Sequence, residues 1–244
     1  MSFESIASWF AENYNWAASL IWLVVAIALT KTGKWLAFRN NDVQRMRDWN
    51  NEEDKPKMAN PKWRPIAKAN AKVGSAAHLF LIFVAAPLTL TLASLPVWRY
   101  LLDVIVLLLV YDFIYYFAHR FWFHGSWMPM RKAHALHHQA RDPSWSDSLF
   151  VHPVETVIGL SIFIISLFIA SAIMGDIHAV VAGIAYVIWT QINTINHTKF
   201  NLDKFPFKTL DYLTDKHHIH HIDMHHGNYS SITPLFDWMF GTLD

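Results

Sequence analysis

The chain contains no cysteine. That excludes disulfides, iron–sulfur clusters and a thiolate-ligated haem, and any metal must be held through nitrogen or oxygen. Charge is scarce as well: 16% of the 244 residues are Asp, Glu, Lys or Arg, and the formal net charge is +1. With no global basic field, no nucleic-acid partner is expected. The first thirteen residues hold Glu4 and Glu12 but no Lys or Arg, so they lack the basic start of a cleaved signal peptide. Internal repeats and low-complexity tracts are absent.

Two things are abundant. The sequence is 53% hydrophobic, and its apolar residues are bunched into long runs. It also carries 15 histidines, most of them in two windows, 119–138 and 217–226.

The apolar runs predict about five transmembrane helices in an all-α integral membrane protein. They cover Trp16–Thr30, Gly74–Leu95, Val97–Ala118, Val154–Met174 and Ile177–Ile195, with turns at Pro96 and Gly175. Residues 31–72 differ in character, with eleven Lys/Arg, five acids and prolines at 56, 61 and 65. They predict a proline-broken basic segment, solvated or lying on the membrane surface with Trp35, Trp49 and Trp63 as anchors. The expected organisation is therefore 1–72, a first span and basic cytoplasmic loop, and 73–244, a four-helix core with a histidine-rich helical cap.

Lys and Arg accumulate on the cytoplasmic side of membrane proteins. Loop 31–72 then faces the cytoplasm, the N-terminus faces outside, and the hairpin tips near Pro96 and Gly175 face outside. Both histidine windows and the C-terminus return to the cytoplasmic face. The loop charges place the two windows on one side without reference to the histidines themselves.

His134, His137 and His138 stand at i, i+3 and i+4, which places them on one face of a helix. His217, His220 and His221 repeat that spacing. His119 and His124 are five apart, about 140° on an α-helix, so an unbroken α-helix cannot aim both at one ion. His197 closes the fifth span at the depth of His119. One site needs three or four ligands, so this surplus predicts two metals close together. Imidazole suits iron, zinc, copper and nickel, and ligand type does not choose among them. His78 and His178 read as packing or interfacial residues. His225 and His226 read as solvated loop or supporting residues, and His218 competes with His217 for one role.

The spacing resembles the fatty acid hydroxylase/sterol desaturase superfamily of membrane di-iron enzymes. The first box is His119-x4-His124, preceded by Asp112-Phe-Ile-Tyr-Tyr-Phe-Ala and with Arg120 after His119, similar to the family's aspartate-tyrosine-His-Arg lead-in, and the second is His134-xx-His137-His138. His152-Pro-Val-Glu155 resembles a His-Pro-x-Glu element, and Asn196-His197-Thr198 an Asn-His-Ser/Thr element. His217-xx-His220-His221 is the third box, and Asn228-Tyr229 and Phe236-Asp237-Trp238-Met239-Phe240-Gly241-Thr242 are similar to the terminal signatures. Ser230 stands where glycine is usual, and Phe236 where tryptophan is usual.

The resemblance implies a dinuclear iron centre, O2 as co-substrate, and ligation by His119, His124, His134, His137, His138, His197, His217, His220 and His221. Zinc can take iron's place in purified protein. Asp112 and Glu155 are expected to accept the far N–H of ligand imidazoles, with Asn196, His218, His225, Asn228 and Asp237 as further supporting residues. Electrons are expected from a separate donor of cytochrome b5 or ferredoxin type. The substrate is expected to be a membrane lipid, either hydroxylated or desaturated, with Trp122, Trp127, Met128, Met130 and Trp145 as channel or anchoring residues. A membrane metal transporter or metal-binding protein is the alternative. It needs polar residues along the spans, and these are few.

Overall fold

A computed structural model describes residues 2–244, apart from the side chains of Phe3, Ile6 and Ala7. The described residues are almost entirely helical. Helix α1 (Phe3–Asn13) leads into α2 (Trp16–Ala37), whose first turn is capped by the Asn15 side chain accepting from Ala18 N–H. Helices α3 (Asn41–Ala59), α4 (Trp63–Phe80) and α5 (Val97–Phe117) follow. Next come α6 (Met128–His137), α7 (Pro153–Met174), α8 (Ala179–Ile195), α9 (Lys208–His221) and α10 (Leu235–Met239).

Four helical stretches are long and apolar enough to cross a membrane: Trp16–Ala37, Trp63–Leu88, Val97–Phe123 and Pro153–Met174. The fifth, α8, has 17 residues. At 1.5 Å per residue it is about 26 Å long, short of a hydrocarbon core of about 30 Å. It packs against α2 along small residues. A Cβ on Gly183 would stand 2.8 Å from a Val25 methyl, and Ala179, Ala182 and Ala185 are fully buried. In lipid there is no hydrophobic drive between helices, so close approach of this kind is what holds them.

The segment 31–72 departs from expectation. It is broken at Pro61 alone of its three prolines: α3 runs through Pro56, and α4 begins at Trp63, eleven residues before the expected start at Gly74. Pro56 falls in the last turn of α3, where it removes the bond to the Glu52 carbonyl and α3 ends three residues later. Pro65 falls in the first turn of α4, where that N–H has no helical partner anyway. Asn40 caps α3 by accepting from Asp42 and Val43 N–H.

The two turns expected to face outside meet. Strand β1 (Leu90–Thr91) pairs in parallel with β2 (Ile177–His178), Leu90 opposite Ile177. The tips preceding α5 and α8 therefore lie together at one end of the bundle, and the histidine boxes gather at the other. Three further histidines are local fasteners. His78 Nδ1 donates to Gly74 O, and His152 and His178 accept from Val154 and Val180 N–H as helix caps.

Candidate metal centre

His119 and His124 share one face because the helix changes pitch between them. After α5 the backbone continues as a π-helix over Ala118–Phe123, and His124 N–H donates to His119 O at 3.0 Å. Residues joined by an i→i+5 bond stand one above the other, as i and i+4 nearly do in an α-helix. The extra residue in His-x4-His is absorbed there.

Nine imidazoles converge in two adjoining groups. One holds His119, His124, His134, His138 and His220, and the other His137, His197, His217 and His221. Helix α6 contributes to both. His134 and His138 face one group, and His137, about 60° from His134 and about 100° from His138 around the helix, faces the other. Helix α9 divides in the same way, His220 to the first group, His217 and His221 to the second.

Backbone carbonyls fix the rings. In the five-histidine group, Nδ1–H of His119 donates to Tyr229 O (2.7 Å), His124 to Met224 O (3.0 Å) and His220 to Gly227 O (2.6 Å). In the other group, His197 donates to Asn193 O (2.7 Å) and His221 to Ala140 O (3.0 Å). With the proton on Nδ1, each of these rings turns a bare Nε2 lone pair inward.

The lone pairs crowd. Nε2 of His119 and Nε2 of His220 are 3.1 Å apart, with both Nδ1 atoms already donating, so no proton lies between them. The nearest Nε2 atoms are 3.0–3.1 Å apart in the five-histidine group and 2.9–3.1 Å apart in the other, and the donor atoms of each group lie within 4.8 Å of one another. Buried lone pairs facing one another at this distance are repulsive unless a cation sits among them. Nitrogens about 2.1 Å from one ion and at right angles would stand about 3.0 Å apart, against about 3.4 Å at the tetrahedral angle. The donor set fits a metal in each group, and the spacing is nearer the right-angle case.

Burial also keeps the rings unprotonated. His124, His137 and His197 are pushed down to about 4, chiefly by loss of water around the charged form. His134, His217, His220 and His221 lie well below the ordinary imidazole value for the same reason, with neighbouring imidazoles adding to it.

The supporting residues divide. Glu155 Oε1 stands 2.9 Å from His134 Nδ1, close contact but off the line of a hydrogen bond. Asp112 touches no imidazole. It is fully buried and accepts from Ser231, Ile232 and Thr233 N–H and from the Thr233 hydroxyl, at 2.8–3.0 Å. The expectation that it orients a ring directly is corrected: it holds the loop whose Tyr229 carbonyl receives His119. Asp112 lies seven residues, about two helical turns, before His119, at a depth where it meets the backbone of residues 231–233 rather than a ring.

Asn196 Nδ2 donates to Ser231 O, fastening the same loop to the end of α8. Asn228, at φ 58°, donates to Lys216 O and accepts from Asp244 N–H. Asp237 accepts from Tyr229 and Ser230 N–H and from the Thr242 hydroxyl. His218 belongs to neither group and has the charges of Lys199 and Asp142 near it. His225 is exposed, and its backbone rather than its ring makes its hydrogen bond, so the supporting role expected of it is not seen. Trp122, Trp127, Met128 and Trp145 are all exposed, as membrane-surface anchors are.

Sequence reasoning missed the carbonyls of Met224, Gly227, Tyr229, Asn193 and Ala140, since a carbonyl carries no residue signature. The one signal was Asn228-Tyr229, noted as a motif without a role.

The family model for fatty acid hydroxylases matches residues 104–242, which hold all nine clustered histidines. Among curated proteins, the chain is 26% identical to methylsterol monooxygenase 2-2 of Arabidopsis thaliana over 68% of its own length and 66% of that protein's. It is 29% identical to a putative methylsterol monooxygenase of Dictyostelium discoideum over 62% of its length and 54% of that protein's. It is 28% identical to a very-long-chain aldehyde decarbonylase of Oryza sativa subsp. indica, covering 67% of this chain and 28% of the relative. The chain thus spans about half to two thirds of the monooxygenases it matches and far less of the decarbonylase. No solved structure matches it. Since the family match takes in more than half of the sequence, the chain belongs to the fatty acid hydroxylase family.

Proposed function

We propose that this protein is a membrane-bound di-iron oxygenase that uses O2 to hydroxylate or desaturate a C–H bond of a membrane lipid. The observation that carries this is the pair of adjoining imidazole groups, five and four side chains, buried at one end of a bundle of apolar helices. Family membership supports oxidative lipid chemistry, and two relatives are named for sterol oxidation.

All nine histidines serve as ligands in this proposal, with Glu155 beside His134 as the carboxylate partner. A pair of irons, when bound, supplies the two-electron activation of O2 that a single iron supplies poorly. The chain's own contribution is to hold lone pairs inward, keep the rings neutral and exclude water. Imidazole donors suit iron, zinc, copper and nickel alike, and membership of the fatty acid hydroxylase family is what favours iron here.

Hydroxylation consumes RH, O2, two electrons and two protons and gives ROH and water. Desaturation removes two hydrogens and gives two waters from the same inputs. Either outcome needs two electrons from outside, and a separate cytochrome b5-type or ferredoxin-type donor is proposed. By the positive-inside rule the histidine end is cytoplasmic. The gathering of the histidines into two closed groups, rather than along a path through the spans, weighs against a transporter.

The test is iron content in protein purified from iron-supplemented cells, beside His220→Ala and His217→Ala. Two equivalents are expected in the native chain, with each variant losing the ion of its own group. One equivalent or fewer in the native chain overturns the dinuclear centre. Lipid extracts incubated with the loaded enzyme, a donor system and labelled O2 then decide the reaction. A product heavier by one labelled oxygen marks hydroxylation, and one lighter by two hydrogens marks desaturation. No O2-dependent product would end the oxygenase proposal.

A further inference from the structure

Helix α3 lies outside the family match, and the only side chains it buries are polar, Asn50 and Asp54. A helix without an apolar face is not held by burial. Its hydrogen bonds show what holds it. Asn50 Nδ2 donates to Lys199 O (2.9 Å), and Asn50 Oδ1 accepts from Lys199 N–H (2.8 Å) and Trp145 N–H (3.0 Å). Asp54 Oδ1 accepts from the Ser144 hydroxyl (2.6 Å) and Ser146 N–H (3.0 Å). Lys57 pairs with Asp147 at 2.5 Å and donates to Asp142 O at 2.9 Å, and the Lys199 ammonium, itself buried, pairs with Asp142.

Every one of these contacts falls on two segments, 142–147 and Lys199. Lys199 is two residues beyond His197. The first segment leads out of α6 past Ala140, whose carbonyl receives His221 Nδ1. His197 and His221 both belong to the four-histidine group. The carbonyls that anchor the five-histidine group come from Met224, Gly227 and Tyr229, none of which α3 bonds.

We infer that α3 is a positioning element for the four-histidine group alone: Asn50 and Asp54 hold His197 and the Ala140 carbonyl in place without touching a ligand. This rests on the proposal that the group binds a metal. One ion position is then assembled within the family-matched region, and the other depends also on a helix outside it. Its affinity can be weakened without altering any histidine.

The experiment titrates the full-length protein in detergent with ferrous iron, anaerobically, and reads bound equivalents by elemental analysis alongside thermal unfolding. Asn50→Ala and Asp54→Ala are expected to weaken one equivalent by about ten- to a hundredfold, as loss of outer partners does, and to leave the other unchanged. Asp54→Asn keeps an acceptor oxygen for Ser144 and Ser146 and should retain both at native affinity. Unchanged binding in both alanine variants, parallel weakening of both equivalents, or equal damage from Asp54→Asn and Asp54→Ala overturns the inference. Should the alanine variants not fold, Asn50→Asp replaces them. It loses the donor to Lys199 O, and it must weaken one equivalent while Asp54→Asn does not. A native chain that binds no iron refutes the metal centre itself rather than the role of α3.

Discussion

At the scale of single residues, the centre is a problem of where protons sit. Five of the nine rings carry theirs on Nδ1 because a carbonyl waits there. The folded rings at 124, 137 and 197 take up a proton only near pH 4, against an ordinary 6.5. As pH falls below 6.5 the unfolded chain therefore binds protons first, and stability is lost between 6.5 and about 4. The thermal midpoint of metal-free protein is expected to fall across that window, and bound metal should delay the fall. A midpoint that does not move between pH 7 and 4.5 contradicts the buried, neutral rings. Gly227 offers a second test. A Cβ there would lie 1.9 Å from Thr242 O, so Gly227→Ala must displace backbone on one side or the other. Because Gly227 O receives His220, loading of the five-histidine group should drop by at least about tenfold, with the four-histidine group spared. Full retention of both ions would show that the carbonyl is dispensable.

Among the elements, the π-helix at Ala118–Phe123 reconciles a five-residue spacing with a shared target. Inserting one alanine between Phe121 and Trp122 puts His119 and His124 six apart, a spacing that neither helix brings to one face. One metal equivalent should be lost and the other kept, read by metal analysis. Loss of neither would mean the pair does not act jointly. Loop 229–233 is the other decisive element. Asp112→Ala leaves three buried N–H groups without an acceptor, each costing about 1–3 kcal/mol. A clear drop in thermal midpoint with weakened metal binding is expected, and an unchanged midpoint would remove Asp112 from this role.

For the whole molecule, what matters is which end faces which compartment. The paired strands bring the turns before α5 and α8 to one end, opposite the histidines. The missing cysteines make orientation accessible, since any introduced thiol is unique. Glu52→Cys on α3 and Asp176→Cys at the far turn are both exposed positions. In sealed cells, an impermeant thiol reagent should label Asp176→Cys and reach Glu52→Cys only after lysis. Labelling of both from outside would refute the proposed topology.

The apolar runs marked the membrane helices because a bilayer imposes a minimum length of apolar sequence on any span. Three spans were nearly right: both ends of α5, α7 and α8 lie within two residues of expectation. The repeated H-x2-H-H spacing put imidazoles on single helix faces, because helical periodicity is local. The helices within 31–72 were not legible because charge and proline describe local solvation and local strain, while α3 is held by partners about ninety and one hundred and fifty residues away. The same limit hid the division of nine histidines into five and four. Spacing places a ring on a face, but which neighbour that face meets depends on how α6, α8 and α9 pack. Asp112 shows the boundary most plainly. Its burial in a span announced a structural or functional partner, and only the folded chain put the backbone of residues 231–233 in front of it.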